Sequence, residues 1–216
     1  MIVFFNAFTK ITGWIVQKIC FRTKIHYVDK AVQGRKIKGS AIIISNHTSV
    51  FDYAVFLFVF WSRTLRYQMA EVLFEKKLLA LFLKCMGGIF IDRKSHDFDF
   101  MLKCEKILKK GGVVGIFPEG RLPNKGEQRP LQFQVGAAQL ALMTNVPIIP
   151  IYTNGSYFNK KRARVIIGKP IYATDLINEQ DDYKTKLQFV TTELRKNIIE
   201  LGCSLSEMIE DEKRKK

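Results

Sequence analysis

The sequence predicts an α/β domain with a largely parallel or mixed central sheet flanked by helices, preceded by an N-terminal amphipathic helical segment. From residue 36 onward, short apolar runs alternate with helix-length amphipathic stretches, and this alternation is typical of a layered α/β fold. A chain of 216 residues, 47% of them hydrophobic, can bury one substantial core. We therefore divide the chain into an N-terminal segment (1–35), an α/β domain (36–205) and a charged tail (206–216).

The first predicted element is a helix in residues 1–21. It has no basic n-region before its apolar part and no small-residue cleavage site after it, so a signal peptide is not expected. If it spanned a bilayer, Lys10 would lie near the centre at a cost of about 2.5–3.5 kcal/mol. Three placements of this helix remain open: it lies on a membrane surface, it spans the membrane, or it packs on the protein body. The first placement is favoured. One helical face carries Phe4, Phe8, Ile11, Ile15 and Ile19, and the opposite face carries Asn6, Lys10, Gly13 and Gln17.

The remaining elements follow from short apolar runs and longer amphipathic stretches. Pro147 and Pro150 bracket the fifth run and predict an edge strand, because proline cannot donate a backbone hydrogen bond. The final residues, DEKRKK, are charged and are expected to be disordered. Strands are predicted at 41–45, 65–70, 88–92, 112–117, 146–152 and 164–168, and helices at 50–61, 75–86, 98–110, 133–144 and 187–202.

The charge of the chain favours an anionic partner. Lys and Arg number 35 against 20 Asp and Glu, a net charge of +15, which suits nucleic acid, a membrane surface or an acidic carrier protein. No nucleic-acid-binding motif occurs, and the aromatic residues lie in apolar runs, so nucleic acid is not expected. The four cysteines are scattered and no histidine pair has ligand spacing, so we expect neither a disulfide framework nor a metal site. Residues 1–40 hold eight basic residues and one acidic residue, which favours peripheral or monotopic attachment to an anionic membrane surface, on the cytoplasmic face.

Charged residues collect where the predicted strands end, and ligands bind at that edge of a parallel sheet. In SNHTSVFD, His47 and Asp52 fit a catalytic pair, but they also fit a polar turn in which Asp52 caps the next helix. His26 and His96 have no comparable setting. The other strand-end residues are Arg93 in GGIFIDR and Glu119, Gly120 and Arg121 in FPEGR.

Four blocks in order, NHTSVFD, GGIFIDR, FPEGR and VPIIPIY, resemble the motifs of the glycerolipid acyltransferases, the PlsC-like 1-acyl-glycerol-3-phosphate acyltransferases. The resemblance covers about half of the chain and implies that the third block binds the acyl acceptor. Family members often have Thr between Gly and Arg in this block, whereas here Gly120 directly precedes Arg121. Members resembling the branch that acylates lysophosphatidylethanolamine also read FPEGR in this block, so the resemblance indicates the reaction class more strongly than the acceptor.

The resemblance implies transfer of a fatty acyl group from a thioester, acyl-CoA or acyl-carrier protein, to a lysophospholipid hydroxyl, converting 1-acyl-glycerol-3-phosphate to phosphatidate. No further cofactor is expected. His47 suits a general base and Asp52 its orienting partner. Arg93 and Arg121 suit phosphate binding, and backbone N–H groups at the start of the helix near Asp52 suit an oxyanion site.

Two points remain open in the sequence. The apolar residues 56–61 and 78–82 fit either an acyl-chain groove or the protein core, and the core is favoured. A non-catalytic basic peripheral protein that binds anionic lipid would also explain the charge and the amphipathic start, but it would leave the four blocks unexplained.

Overall fold

The computed structural model describes residues 1–91, 99–158 and 162–215. These residues form a seven-stranded sheet flanked by α-helices, which confirms the predicted fold class. The strands are β1 (Lys24–Tyr27), β2 (Ala41–Ser45), β3 (Leu65–Ala70), β4 (Ile89–Ile91), β5 (Val113–Ile116), β6 (Ile148–Thr153) and β7 (Arg164–Ile167). The helices are α1 (Ile2–Val16), α2 (Asp52–Val59), α3 (Lys77–Met86), α4 (Asp99–Lys109), α5 (Gly136–Thr144) and α6 (Tyr183–Arg214).

The sheet is mixed, with the strand order β1-β7-β6-β2-β5-β3-β4. Only β6 and β7 run antiparallel among the described strand pairs, and the other neighbours are parallel. Strand β2 lies between β5 and β6, so the carboxyl ends of these three parallel strands meet at one edge of the sheet. The segments that leave these ends are therefore brought together in space.

Strand β2 shows how the sheet separates two cores. Its side chains alternate, as the pleat of a strand requires, and all of them are buried. Ile42 and Ile44 belong to the core beneath α4, α5 and α6, whereas Ile43 belongs to the core beneath α2 and α3. A strand buried on both faces reads as a continuous apolar run, which is why AIIIS was recognisable.

Helix α1 packs with its polar face inward. Lys10 is only 4% exposed, and its ammonium donates hydrogen bonds to the backbone carbonyls of Trp61 (2.9 Å) and Arg63 (2.6 Å), just after α2. The buried Asn6 amide donates to the carbonyl of Met86, at the end of α3 (2.9 Å). These polar side chains satisfy carbonyls that helix ends leave without partners.

The apolar face of α1 points away from the protein. Phe4 is 77% exposed and Ile19, in the π-helical turn Gln17–Phe21, is 70% exposed. Neighbouring α3 adds further exposed apolar side chains, including Leu78 and Leu81, and the two helices touch through the rings of Phe5 and Phe82. Within the described residues, no helix has both the length and the apolar character needed to cross a bilayer.

Three differences from the sequence expectations concern boundaries and strand position. Strand β1 pairs with β7 in the sheet, so the predicted boundary at residue 35 does not separate the first segment from the domain. The expected disorder of the final residues is wrong up to Arg214, because α6 continues that far and Glu212 forms ion pairs with Lys24 and Arg164. The edge position predicted from the prolines is also wrong, since β6 lies between β7 and β2 and the carbonyl of Pro150 accepts from the N–H of Gly168 (2.9 Å).

Candidate active site

The site begins where β2 leaves the sheet. The buried Asn46 continues the pairing of β2 with β6 through its side chain: its amide nitrogen donates to the carbonyl of Thr153 (2.9 Å), and its amide oxygen accepts from the N–H of Thr153 (2.9 Å). A side chain thus takes over two backbone hydrogen bonds at the strand end. The main chain is free to turn, and the position of the next residue, His47, is fixed.

The predicted pair is formed, because Nδ1 of His47 lies 2.9 Å from Oδ2 of Asp52. The same oxygen accepts from the backbone N–H groups of Thr48 (2.7 Å) and Ser49 (2.9 Å). The other oxygen accepts from the hydroxyls of Thr48 (2.8 Å) and Tyr157 (2.6 Å). The carboxylate is fully buried with five donors aimed at it, so His47 carries its proton on Nδ1.

Asp52 closes a turn and does not cap α2. The N-cap position is occupied by Phe51, which makes no side-chain cap hydrogen bond, and Asp52 lies in the first helical turn with its bonds directed back to Thr48 and Ser49. A carboxylate at this position is also favoured by the helix dipole. The N–H groups of Thr48 and Ser49 are occupied by Asp52 and are not free to bind an oxyanion. The oxyanion site at the start of the helix near Asp52 stays a prediction.

Tyr157 is a member of the site that the sequence reasoning missed. Burial, and then the nearby Asp52 carboxylate, raise the pKa of Tyr157 well above its usual value, so the phenol stays protonated and donates. Its oxygen in turn lies 2.9 Å from the hydroxyl of Thr153. Gly155 has a φ of +64°, and a Cβ there would lie 2.7 Å from the Thr48 hydroxyl, so only glycine lets this loop approach. Tyr157 lies beyond the fourth block, and no motif pointed to it.

The imidazole of His47 is held on two sides. Its ring stacks on Phe117, which follows β5, with centroids 4.0 Å apart and planes 13° apart. Phe117 contacts Tyr67 and Phe56 in the core, so the stacking surface is itself packed. The His47 side chain is 17% exposed, and its Nε2 has no hydrogen-bond partner among the described residues. Nε2 is therefore the nitrogen that is left for a substrate.

Glu119 lies at the site, but its contacts are with the backbone. One carboxylate oxygen accepts from the N–H of His47 (2.7 Å) and the other from the N–H of Leu131 (2.8 Å), and the side chain is 4% exposed. Glu119 therefore holds the histidine from a second direction. Its predicted contact with substrate remains a prediction, which this geometry does not favour.

Of the two arginines predicted to bind phosphate, Arg121 lies among the described residues and Arg93 does not. Arg121 follows Gly120, whose φ of +71° turns the chain, and its guanidinium makes two hydrogen bonds to Glu127 (2.7 and 2.8 Å). Hydrogen bonds from Arg121 hold the pKa of Glu127 at about 2, so the pair is charged at neutral pH. Arg93 and His96 lie outside the described residues, so the role predicted for Arg93 stays a prediction.

The two apolar stretches that fitted either an acyl-chain groove or the core differ in burial. The core includes four residues of the first stretch (56, 57, 59 and 60), as the sequence favoured. By contrast, most of 78–82 is exposed on α3 and contributes to the outer surface. In the described part of the chain, His, Cys, Asp and Glu side chains form no group of three or more that could hold a metal ion.

Comparisons with known proteins point to the chemistry suggested by this geometry. A family described as Acyltransferase matches residues 22–154, more than half of the chain. The 1-acyl-sn-glycerol-3-phosphate acyltransferase of Bacillus subtilis (strain 168) is 30% identical over 149 residues, covering 67% of this chain and 72% of that protein. The human 1-acyl-sn-glycerol-3-phosphate acyltransferase beta is 26% identical over 157 residues, covering 70% of this chain and 55% of that protein.

A solved structure shares the fold. The crystal structure of the 1-acyl-sn-glycerophosphate acyltransferase PlsC from Thermotoga maritima superposes with a TM-score of 0.64 at 17% sequence identity. The superposition covers 93% of this chain and 79% of that one. The likeness therefore extends over most of the fold.

Proposed function

Because the chain belongs to the Acyltransferase family, we propose that it transfers a fatty acyl group from a thioester to the free hydroxyl of a lysophospholipid, with 1-acyl-glycerol-3-phosphate as acceptor and phosphatidate as product. The observation that carries the proposal is the 2.9 Å contact between His47 and the buried Asp52, with the second imidazole nitrogen left for substrate. The names of the bacterial and human relatives support the choice of acceptor.

The reaction needs no nucleophile from the enzyme. His47 Nε2 accepts the proton of the acceptor hydroxyl while the hydroxyl oxygen attacks the thioester carbonyl. The new C–O bond forms, the C–S bond breaks, and the departing thiolate takes the proton from the imidazolium. Asp52 holds Nδ1–H and stabilises the positive charge while the proton is on the ring. Glu119 and Phe117 keep the ring in place, through its backbone and its face respectively.

The donor is acyl-CoA or acyl-carrier protein, and both are acidic. The net charge of +15 supports either. The acceptor phosphate is assigned to Arg93 and Arg121. For Arg121 this requires the guanidinium to leave the Glu127 carboxylate and bind phosphate instead. Guanidinium groups bind both carboxylate and phosphate in a bidentate manner.

The enzyme acts while attached to the surface of a membrane. Helix α1 packs with its polar side chains Asn6 and Lys10 buried and its apolar side chains Phe4 and Phe8 exposed. Together with the exposed side chains of α3, it forms a broad apolar surface. An apolar surface of this extent on a basic protein suits the headgroup boundary of an anionic bilayer. The free cysteines suit a reducing compartment, and we place the protein on the cytoplasmic face.

Attachment is tested by replacing Phe4 and Phe8 with Ser in the full chain. Both side chains are exposed, so the fold should be retained while sedimentation with anionic vesicles falls at least tenfold. The matched control replaces Phe189 and Ile199, which are exposed on α6, with Ser and should sediment like wild type. Equal sedimentation of the two double variants would show that α1 does not hold the membrane.

The activity is tested with the purified protein, a panel of lysophospholipids and both donor types, measuring release of free thiol or carrier. Release that depends on 1-acyl-glycerol-3-phosphate supports the proposal. Replacing His47 with Ala should lower the rate about 10³-fold because the base is lost. The folded circular dichroism spectrum should be retained, although the melting temperature should fall because the stacking on Phe117 and the hydrogen bond to Asp52 are lost. More than a tenth of the activity in that variant would rule out this mechanism.

The same panel addresses two alternatives. Gly120 directly precedes Arg121, and the positive charge of Arg121 is already paired with Glu127. Both features favour lysophosphatidylethanolamine as a second candidate acceptor, since its phosphate carries less negative charge than that of 1-acyl-glycerol-3-phosphate. Thiol release that requires this lipid would change the acceptor and keep the reaction class. Saturable lipid binding without thiol release from any donor would instead identify a non-catalytic lipid-binding protein.

A further inference from the structure

A pocket that is separate from the His47 site lies at the opposite end of α2 from Asp52. Its volume is about 480 Å³, and it opens beside the C-terminal end of α1. We infer that this pocket binds the phosphate headgroup of an anionic phospholipid, separately from the acyl-transfer site. It is lined by Trp14, Gln17, Lys18, Thr23, Ile25, Arg35, Lys36, Phe58, Val59, Trp61 and Ser62.

The lining is cationic and contains no carboxylate. Lys18 and Lys36 are exposed and form no ion pair or hydrogen bond with the described residues, although Lys18 lies over the ring of Trp14 at 5.6 Å. Arg35 uses two of its N–H groups on the carbonyls of Phe58 and Val59, both at 2.8 Å, and is thereby fixed at the pocket wall. Three positive charges converge on this pocket, and an anion is the ligand that they fit.

A neutral side chain that lines the same pocket has an unused hydrogen-bonding group. The hydroxyl of Thr23 is buried and has no hydrogen-bond partner among the described residues, although buried hydroxyls are nearly always paired. This hydroxyl is a donor as well as an acceptor, and rotation of the partly exposed Thr23 side chain would bring it to a phosphate oxygen in the pocket. Diffuse attraction between a basic surface and an anionic bilayer needs no buried hydroxyl, whereas a headgroup pocket uses one.

The walls of the pocket indicate a lipid. Trp14 and Trp61 are 50% and 43% exposed, and tryptophan is the residue that most favours the membrane–water boundary. Trp14 belongs to α1, whose outward face is apolar, so a headgroup held here would have its acyl chains next to Ile11 and Ile15. A free phosphate would gain nothing from this apolar surface.

Intrinsic fluorescence reports on the pocket directly, because both tryptophans of the chain line it. The probe is dihexanoyl-phosphatidylglycerol below its critical micelle concentration, added to the full-length protein at constant ionic strength. We expect a saturable change of fluorescence. Dihexanoyl-phosphatidylcholine should give no such change, and inorganic phosphate should need at least a tenfold higher concentration.

Three variants separate a headgroup pocket from surface charge. Replacing both Lys18 and Lys36 with Gln should weaken binding of the probe at least tenfold. The matched control replaces Lys184 and Lys196 with Gln; these exposed lysines belong to α6, across the sheet, and binding should stay within twofold of wild type. Thr23→Val keeps the charge and should weaken binding about threefold to tenfold without loss of stability, because no hydrogen bond to the protein is removed.

Several results would overturn the inference. Unchanged binding in Thr23→Val, or equal losses in the two double-lysine variants, would show that only diffuse charge attracts the lipid. An inorganic phosphate response as strong as that of phosphatidylglycerol would make this a free-phosphate site. Binding by the His47→Ala protein should equal wild type, so failure at this pocket and failure of the acyl-transfer proposal are distinguishable.

Discussion

Replacing Asp52 with Asn tests the proposed catalytic role of this carboxylate with a nearly isosteric change. Of the five donors aimed at it, the backbone N–H groups of Thr48 and Ser49 cannot turn round to accept. The amide oxygen of Asn must therefore take the Oδ2 position, leaving its NH₂ group opposite the hydroxyls of Thr48 and Tyr157, which can rotate and accept. His47 keeps an acceptor on Nδ1. The tautomer should survive, unlike in serine-protease triads, where the same change produces the wrong tautomer.

The expected loss of rate then comes from the missing negative charge. At the observed 2.9 Å and an effective dielectric constant of about 20, the attraction between carboxylate and imidazolium is at most about 6 kcal/mol. The proton is only partly transferred in the transition state, and His47 is partly exposed, so about half of this applies. A loss of about 3 kcal/mol corresponds to a fall in kcat of about 100-fold.

Thiol release at saturating donor and acceptor measures kcat, and ¹⁵N NMR of the chain's three histidines reports the tautomer of His47. We expect Nδ1 to stay protonated and KM to change little. If kcat stays within threefold of wild type while the melting temperature falls, Asp52 is structural only. A loss beyond 10⁴-fold with the proton moved to Nε2 would mean that the amide has flipped and that the reasoning about Thr48 and Ser49 is wrong.

Three further outcomes are expected. Tyr157→Phe removes one charge-assisted hydrogen bond and should lower the free energy of unfolding by about 1.5–3 kcal/mol in urea titrations, while kcat falls less than tenfold because four donors remain. Arg121→Ala should raise KM for the phosphorylated acceptor more than for the donor, and Glu127→Gln should lower it by freeing the guanidinium; the opposite bias in steady-state kinetics would assign Arg121 to the donor. Burial lowers the pKa of Lys10 from 10.5 to about 8, so between these pH values the unfolded chain binds more protons and the free energy of unfolding should rise with pH, by about 3 kcal/mol in all. Lys10→Met should abolish that rise, and a rise that persists in this variant would assign it to other groups.

The fold could be predicted because the central strands β2 and β5 are buried on both faces and helices α3 and α4 carry clear periodicity. The failures occur where tertiary contacts decide the structure. Strand β1 (KIHY) has no apolar run and is held by pairing with β7 at the sheet edge. The last turns of α6 look like a charged tail, yet Leu205 is buried in the core and Glu212 is paired across to the sheet.

The site was predictable to the extent that it depends on strand ends. His47 and Asp52 are close in sequence, and Glu119 follows the strand that neighbours β2, so their proximity follows from a parallel sheet. The spacing of residues along the chain cannot predict that Glu119 accepts hydrogen bonds from the backbone or that Arg121 pairs with Glu127. Both contacts depend on how the loop after β5 folds. Tyr157 comes from a loop 105 residues along the chain from Asp52, beyond the reach of any local pattern.

Helix α2 connects the side of the protein that carries α1 to the site. Its first residue is Asp52, and the carbonyls just beyond its last turn are held by Lys10 of α1. An eight-residue helix is only about 12 Å long, and close-packed protein interiors are hard to compress. If α1 lies on the bilayer as proposed, the height of His47 above the membrane is therefore set by packing and not by a linker. Substitutions on the apolar face of α1 should change how long the enzyme stays on the membrane, whereas substitutions on its polar face should change the alignment of the site with the substrate.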